Sequence, residues 1–316
     1  AGKKAKIMLW SGDTVPFEAA VRATRAAGVR NMNGGDTRLD AEYPSVFYVP
    51  PIARPVGRER QIYAGNSNEN TYTNFWHGPY YGYFNLEQTI VNTNAPRRLK
   101  PFNVYFHMYM GEKAASLASL KHFLELARKS EVIPIAASHY AAIADDFFGV
   151  EIEQAGPQAW SVAKRGALQT VRFDDAEALE VDEASSTGVI GATRTNGSLY
   201  ISLDKAVEKA VVGLRPVRRD AAPASGGGSL VSLVSSRWEL SARADEGCGL
   251  RFTAEGFGPG QMAWRTAPER AFHVSLQRGD DELWRQDVRA NANGVLEFTA
   301  PALAIEPLTL KVACHD

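Results

Sequence analysis

Residues 97–138, RRLKPFNVYFHMYMGEKAASLASLKHFLELARKSEVIPIAAS, decide the fold class of this chain. The short aromatic and β-branched run 103–106 predicts a strand. Apolar residues at helical spacing predict an amphipathic helix over 112–129, and the apolar run 133–137 predicts the next strand. This β-α-β pattern places His107 where a strand ends and a loop begins, which is where parallel α/β folds build their active sites.

The same pattern occurs earlier in the chain. The runs 6–10 and 29–33 predict two short strands with a helical stretch between them, and they are followed by Asp13 and Asp36. Because the carboxyl ends of parallel strands share one edge of a sheet, we expect Asp13, Asp36 and His107 to converge on an enzyme site.

Each of these three residues also has a purely structural interpretation. Aspartate often caps a helix or closes a turn, and Asp13 and Asp36 occupy positions that suit those roles. A histidine at a strand end is either a general acid or base, because imidazole titrates near neutral pH, or a hydrogen-bonded core residue. The residues alone leave both interpretations open.

A long polar and aromatic insertion, residues 40–96, interrupts the α/β pattern. Loops of this length inside a domain are mostly functional or disordered, and this one is too aromatic for disorder. Aromatic faces beside amides and hydroxyls suit sugar binding, although the rings could instead pack on one another as a satellite core. The predicted substrate contacts are Trp10, Arg38, Trp76, His77, Tyr80 and Tyr81.

Composition indicates a globular protein of 316 residues, 45% hydrophobic and 22% charged, which is long enough for two domains. The formal net charge of −1 gives no reason to expect nucleic acid as a partner. No apolar run approaches the ~20 residues that a membrane span needs.

The second half of the chain has the pattern of an all-β region. Short alternating runs separated by turn signals predict a β-sandwich, and the Asn196-Gly197 pair predicts a hairpin turn. Residues 220–229, DAAPASGGGS, have the composition of a flexible linker. We therefore expect one domain over 1–156 and a β-rich accessory domain over 157–316, for which carbohydrate binding is a candidate role. Cys248 and Cys314 suit either a disulfide across that β-region or two free buried thiols.

The runs LWSGD, NGGDTR and FNVYFHMYMGE resemble the distal half of a NodB-type polysaccharide deacetylase domain. More narrowly, they are similar to the periplasmic Pel exopolysaccharide deacetylases (the PelA type) of Gram-negative biofilm bacteria. The likeness covers residues 5–215, and FNVYFHMYMGE is its most specific part. It implies an α/β fold, the distal part of a NodB-like (β/α) barrel, followed by a β-sandwich region.

The resemblance also implies a metal-dependent hydrolase. In that superfamily a divalent metal, usually zinc, binds one Asp and two His, a second Asp acts as base, and a later His acts as acid. His107 matches the later His, and Asp13 or Asp36 would orient its imidazole. The D-x-D and H-x-x-x-H motifs do not occur ahead of His107, so the resemblance places the metal ligands upstream of Ala1 and none in this chain.

We therefore expect part of a periplasmic N-deacetylase that acts on an N-acetylated amino-sugar exopolysaccharide in biofilm biosynthesis. Its partners would be the polysaccharide and other exopolysaccharide export proteins. Two other functions stay open: a non-catalytic carbohydrate-binding or assembly module, and a glycoside hydrolase with a carboxylate pair such as Asp36 and Glu112.

Overall fold

The structure is a computed structural model that describes residues 4–12, 14–217 and 232–315. Asp13 and the linker expected at 220–229 lie outside the described residues. The fold is mixed α/β and rich in antiparallel sheet. It divides into two compact units, the first comprising Ala1–Val132 with Ala136–Asp145 and the second comprising Ile133–Ile135 with Asp146–Asp316.

The first unit contains a four-stranded sheet and most of the helical structure. Its elements are β1 (Ile7–Leu9), α1 (Glu18–Ala26), β2 (Arg30–Met32), β3 (Ala53–Val56), β4 (Glu59–Ile62), α2 (Leu86–Asn92), α3 (Ala114–Lys129) and α4 (Ala137–Asp146). The strand order is β1-β2-β4-β3. β1, β2 and β4 run parallel, and β3 is antiparallel to β4. The two strands predicted at 6–10 and 29–33 are thereby confirmed as parallel neighbours.

The strand predicted at 103–106 is wrong, although the chain there is extended and alternating. Phe102, Val104 and Phe106 pack against a buried cluster built around Tyr83 and Phe123. The backbone carbonyls of this segment accept hydrogen bonds from side chains instead of from a neighbouring strand. Asn66 Nδ2 donates to the carbonyls of Pro101 and Asn103, both at 3.2 Å, and the Tyr83 hydroxyl donates to Tyr105 O at 2.7 Å.

The strand predicted at 133–137 is also wrong, because Ala137 begins helix α4. The helix between these two segments is confirmed as α3 (Ala114–Lys129). The described strands of the first unit form an open sheet, so this part of the chain shows no barrel. The insertion 40–96 holds β3, β4 and α2, and its Tyr72 and Tyr83 are buried in the core.

The described strands of the second unit form three sheets. Its strands are β5 (Glu151–Gly156), β6 (Ala159–Ala163), β7 (Thr170–Phe173), β8 (Leu179–Val181), β9 (Val189–Thr195), β10 (Ser198–Leu203), β11 (Ala210–Pro216), β12 (Ser232–Ser236), β13 (Glu239–Glu246), β14 (Gly249–Glu255), β15 (Gly260–Arg265), β16 (Ala271–Arg278), β17 (Asp281–Arg289), β18 (Val295–Ala300) and β19 (Leu308–Cys314). The expected domain boundary after residue 156 falls between β5 and β6, which pair with each other in one sheet. The main segment of this unit begins at Asp146, about ten residues before that boundary.

Two hydrophobic cores hold these sheets together in a sandwich-like manner. The sheet β18-β15-β12-β9-β10-β7 extends across both cores. One core lies between it and the sheet β5-β6-β11-β8. The other lies between it and the sheet β13-β14-β19-β16-β17, where Trp238, Trp264 and Phe252 are buried.

The predicted hairpin at Asn196-Gly197 is confirmed. These residues join β9 to β10 with φ values of 49° and 76°. Two successive left-handed residues are what a two-residue turn of type I′ requires, and Asn-Gly adopts that conformation with little strain.

Cys248 and Cys314 form a disulfide. The bond links the turn between β13 and β14 to the end of β19, with the two Cα atoms 6.0 Å apart. This resolves the choice between a bridge and two free thiols.

Among the described residues, no helix has the length and apolar character needed to cross a membrane.

Candidate functional site

The centre of the candidate site is a pair formed by His107 and Glu69. The Glu69 carboxylate is fully buried, and its Oε1 lies 2.6 Å from His107 Nδ1. Its Oε2 accepts the backbone N–H of His107 at 3.0 Å. Because the carboxylate oxygen is an acceptor, it holds the proton on Nδ1, and the neutral imidazole then carries its lone pair on Nε2.

The imidazole of His107 is only partly enclosed. Its side chain is 41% exposed, and Nε2 has no hydrogen-bond partner among the described residues. A buried carboxylate behind one nitrogen of a partly exposed ring, with the other nitrogen left for a ligand, forms the arrangement of a general acid or base.

Tyr109 fixes the plane of the imidazole. The two rings stack with centroids 5.0 Å apart and an interplanar angle of 4°. The Tyr109 hydroxyl donates to Asn70 Oδ1 at 2.9 Å, next in sequence to Glu69. Burial and the nearby Glu69 carboxylate raise the pKa of Tyr109 to about 12, so the phenol stays protonated at neutral pH.

A row of aromatic rings extends from His107. Trp76 lies 4.8 Å from Tyr109 and 5.1 Å from Tyr80, measured between ring centroids. Lys113 Nζ lies 5.1 Å from the Tyr80 ring centroid. We call Tyr109, Trp76 and Tyr80 the aromatic row. Trp76 and Tyr80 are partly buried, and Trp76 also packs against the core cluster around Tyr83 and Phe123.

Two of the predicted strand ends do reach the neighbourhood of His107. Asn33, directly after β2, donates from Nδ2 to the carbonyl of Trp10 at 2.5 Å and to the Tyr105 hydroxyl at 2.8 Å. Tyr105 in turn lies 6.1 Å from His107 between ring centroids. The Trp10 indole N–H donates to Asn31 Oδ1 at 3.0 Å, so this ring is anchored to β2.

The residue that orients His107 differs from the expectation. Asp36 was expected to hold the imidazole, but Glu69 occupies Nδ1. The physical reason is that the turn Glu69–Thr71 passes directly behind the extended segment that carries His107. Asp36 itself is half-buried in the irregular segment after β2, and the alternative candidate Asp13 lies outside the described residues.

Arg38, which the sequence predicts as a substrate contact, has a guanidinium that is buried and already hydrogen-bonded within the protein. Nε donates to Asp40 at 2.7 Å, and the terminal nitrogens donate to Thr71 O and Glu42, both at 2.5 Å. The guanidinium also lies over the rings of Tyr43 and Tyr72, 4.4 and 4.5 Å from their centroids. Arg38 therefore holds together the insertion that supplies Glu69.

The remaining predicted residues lie at the surface. His77 is exposed, with Nδ1 2.9 Å from Asn74 O, and Tyr81 is 63% exposed. Glu112, considered as half of a glycosidase pair, is exposed at the end of the turn Met108–Glu112.

Sequence reasoning missed Glu69, although one signal was available. Glu69 is the only charged residue between Arg60 and Glu87. A single carboxylate in a neutral, aromatic stretch is a strong candidate for a buried partner, because a buried charge requires compensation.

Within the part of the chain that the structure describes, His107 does not belong to a group of three metal-binding donors. Among the described residues, the group of three donors close enough to share an ion is elsewhere, at His273, Asp287 and His315. His107 Nδ1 and Glu69 Oε1 are already hydrogen-bonded to each other.

No protein family model matches this chain, and no curated protein sequence matches it significantly.

Proposed function

We propose that the first unit supplies the proton-donating side of an active site that hydrolyses N-acetyl groups on an amino-sugar polysaccharide. The observation that carries this proposal is the His107–Glu69 pair, with an accessible Nε2 next to the aromatic row. The likeness of FNVYFHMYMGE to NodB-type deacetylases, and more narrowly to the PelA type, gives the reaction class.

The chemistry follows from the two protonation states of His107. As water adds to the acetamide carbon, a base on the other side of the site would take its proton. His107, protonated beforehand at Nε2 by solvent, donates that proton to the amine nitrogen as the C–N bond breaks. The products are acetate and a free amine on the sugar. Glu69 stabilises the imidazolium and keeps the ring in place, as the buried carboxylate does in other His-based catalytic sites.

The aromatic row would position the polymer. A pyranose ring has an apolar face that stacks on tryptophan or tyrosine, and the row lies directly beside His107. Trp76 sits in a stretch of left-handed backbone, Asn74–Trp76, with φ of 47°, 51° and 68°. Strained backbone of this kind is concentrated at functional sites, which supports a binding role.

A periplasmic location and exopolysaccharide export partners belong to the same proposal. The Cys248–Cys314 disulfide supports the location, because disulfides persist in oxidising compartments.

The test is acetate release from an N-acetylated amino-sugar polymer, using this chain joined to the upstream segment of its gene in zinc-containing buffer. We expect His107→Gln to lower kcat about 10²- to 10⁴-fold, the range for loss of a general acid. We expect Glu69→Gln to lower kcat about 10- to 100-fold with little change in KM, as for loss of an orienting carboxylate. ¹⁵N NMR of His107 would then show the Nδ1–H tautomer in the wild type and its loss in Glu69→Gln.

The matched control is His122→Gln. His122 Nε2 lies 2.7 Å from Glu87, but both side chains are solvent-exposed, so this pair reproduces the contact outside the site. We expect wild-type kcat. Equal activity in His107→Gln and the wild type would show the assignment of the acid to be wrong.

The aromatic row also favours a second function, a polysaccharide-binding module without catalysis. In that case the joined protein would bind polymer without releasing acetate, and Trp76→Ala would weaken binding while His107→Gln would not.

A further inference from the structure

Two histidines and an aspartate meet on one face of the sheet β13-β14-β19-β16-β17. His273 on β16 pairs directly with Asp287 on β17. His315 follows β19, and its backbone N–H donates to Ala271 O at 3.0 Å, which continues the β16–β19 ladder. Phe272 and Val274 are fully buried on the opposite side of β16. Because side chains alternate along a strand, His273 projects away from the core.

The donor atoms of these residues are already close together. His273 Nδ1 contacts Asp287 Oδ1 directly. The two imidazole rings lie 4.2 Å apart between centroids. One ligand atom from each of the three residues lies within 4.8 Å of the others. The Asp287 side chain is 64% exposed and that of His273 25%, so an ion could reach the group from solvent.

We propose that His273, Asp287 and His315 bind a divalent transition-metal ion of the zinc class. Two imidazole nitrogens and one carboxylate oxygen suit zinc, whereas calcium and magnesium prefer sites made wholly of oxygen. The ion would replace the proton shared by His273 Nδ1 and Asp287 Oδ1. Three protein ligands leave a coordination position for water.

The surroundings pre-form this site. His315 directly follows Cys314, whose disulfide to Cys248 fixes the end of β19. The site belongs to the second unit, and this proposal does not depend on the chemistry proposed at His107.

Zinc binding to the tag-free chain tests the proposal. The protein would first be stripped with EDTA, then titrated with zinc chloride by calorimetry and in competition with a chromogenic chelator. We expect one equivalent of zinc to bind to the wild type. His273→Gln, Asp287→Asn and His315→Gln should each weaken binding at least tenfold.

The control variants are His122→Gln and His107→Gln, which alter two His–carboxylate pairs elsewhere among the described residues and should bind zinc as the wild type does. Circular dichroism would show that all variants are folded. Wild-type affinity in both His273→Gln and His315→Gln would overturn the proposal. So would a wild type that binds no zinc at 100-fold excess, or loss of the bound ion in His107→Gln.

Discussion

At the scale of single residues, burial determines which charged groups can act and which only support the fold. Glu69 is completely buried, and its two oxygens bind the ring and the backbone of His107. A buried carboxylate without such partners would cost several kcal/mol. Arg38 is buried too, but every arm of its guanidinium binds within the insertion. The same degree of burial thus gives an orienting group in one case and a structural cation in the other.

Lys100 provides a pH-dependent test of this residue-level interpretation. Its side chain is buried, Nζ donates to Pro51 O at 3.2 Å, and burial lowers its pKa to about 8. An unfolded lysine titrates near pH 10.4, so between pH 8 and 10.4 the unfolded chain holds a proton that the folded chain has lost. The free energy of unfolding should therefore rise with pH across this window, by up to about 3 kcal/mol from this group, and the rise should be absent below pH 8.

Urea unfolding of the wild type and Lys100→Met at pH 7.5 and 10, followed by circular dichroism at 222 nm, measures this effect. Nearly all of the described α-helical residues lie in the first unit, so the signal reports that unit. Lys100→Met should lack the extra rise. Lys121→Met, on the exposed face of α3, should keep it. An identical rise in the wild type and Lys100→Met would contradict the prediction.

At the scale of elements, side chains complete hydrogen bonds that a sheet would otherwise supply. The extended segment before His107 alternates like a strand, yet the side chains of Asn66 and Tyr83 donate hydrogen bonds to its backbone carbonyls. The segment therefore does not need a neighbouring strand to satisfy these carbonyls. His107 at its end lies against the turn Glu69–Thr71. The left-handed stretch Asn74–Trp76 then places the Trp76 ring between Tyr109 and Tyr80 in the aromatic row.

Phe75 tests the strain in that stretch. Its φ is 51°, which is strained for a residue with a side chain, and that side chain is 75% exposed. Few side-chain contacts therefore offset the backbone strain. Phe75→Gly should raise the free energy of unfolding by about 0.5–1 kcal/mol, the relief of a left-handed non-glycine residue less the added chain entropy of glycine. Urea unfolding followed at 222 nm measures the change.

Phe47 offers the matched control. It is 84% exposed and lies in the 3₁₀ turn Val46–Tyr48, where no left-handed strain is present. Phe47→Gly should lower stability by roughly 1 kcal/mol. A loss of stability in both variants would show that Asn74–Trp76 is not strained.

At the scale of the whole molecule, the two units have different means of stabilisation. The first depends on an open sheet, on helices and on an insertion held by many side-chain hydrogen bonds. The second depends on two cores between sheets and on a disulfide that closes a 66-residue separation.

Removal of the disulfide should destabilise the second unit. In the chain-entropy model, a bridge across 66 residues contributes about 4 kcal/mol by restricting the unfolded chain. The double variant Cys248→Ser/Cys314→Ser should lose about that amount, measured by the fluorescence of the buried Trp238 and Trp264 during urea unfolding. The 222 nm transition of the first unit should not move, and a reductant should have no effect on the double variant. Unchanged fluorescence transitions would contradict the prediction.

The sequence by itself determined the local features of this protein. Helix α3, the parallel pair β1–β2, the Asn196-Gly197 turn and most strands of the second unit follow from periodicity and turn chemistry, which are properties of neighbouring residues. His107 was identified in the same way, as a polar residue at the end of an alternating run.

Only the tertiary structure decided which residues contact one another across the chain. The pairing of Glu69 with His107, the burial of Arg38 and the meeting of His273, Asp287 and His315 join residues distant in sequence or depend on surrounding packing. The physical reason is that periodicity reports which way a side chain faces along its own element. It carries no information on which distant group will satisfy a donor, an acceptor or a charge when that side chain is buried.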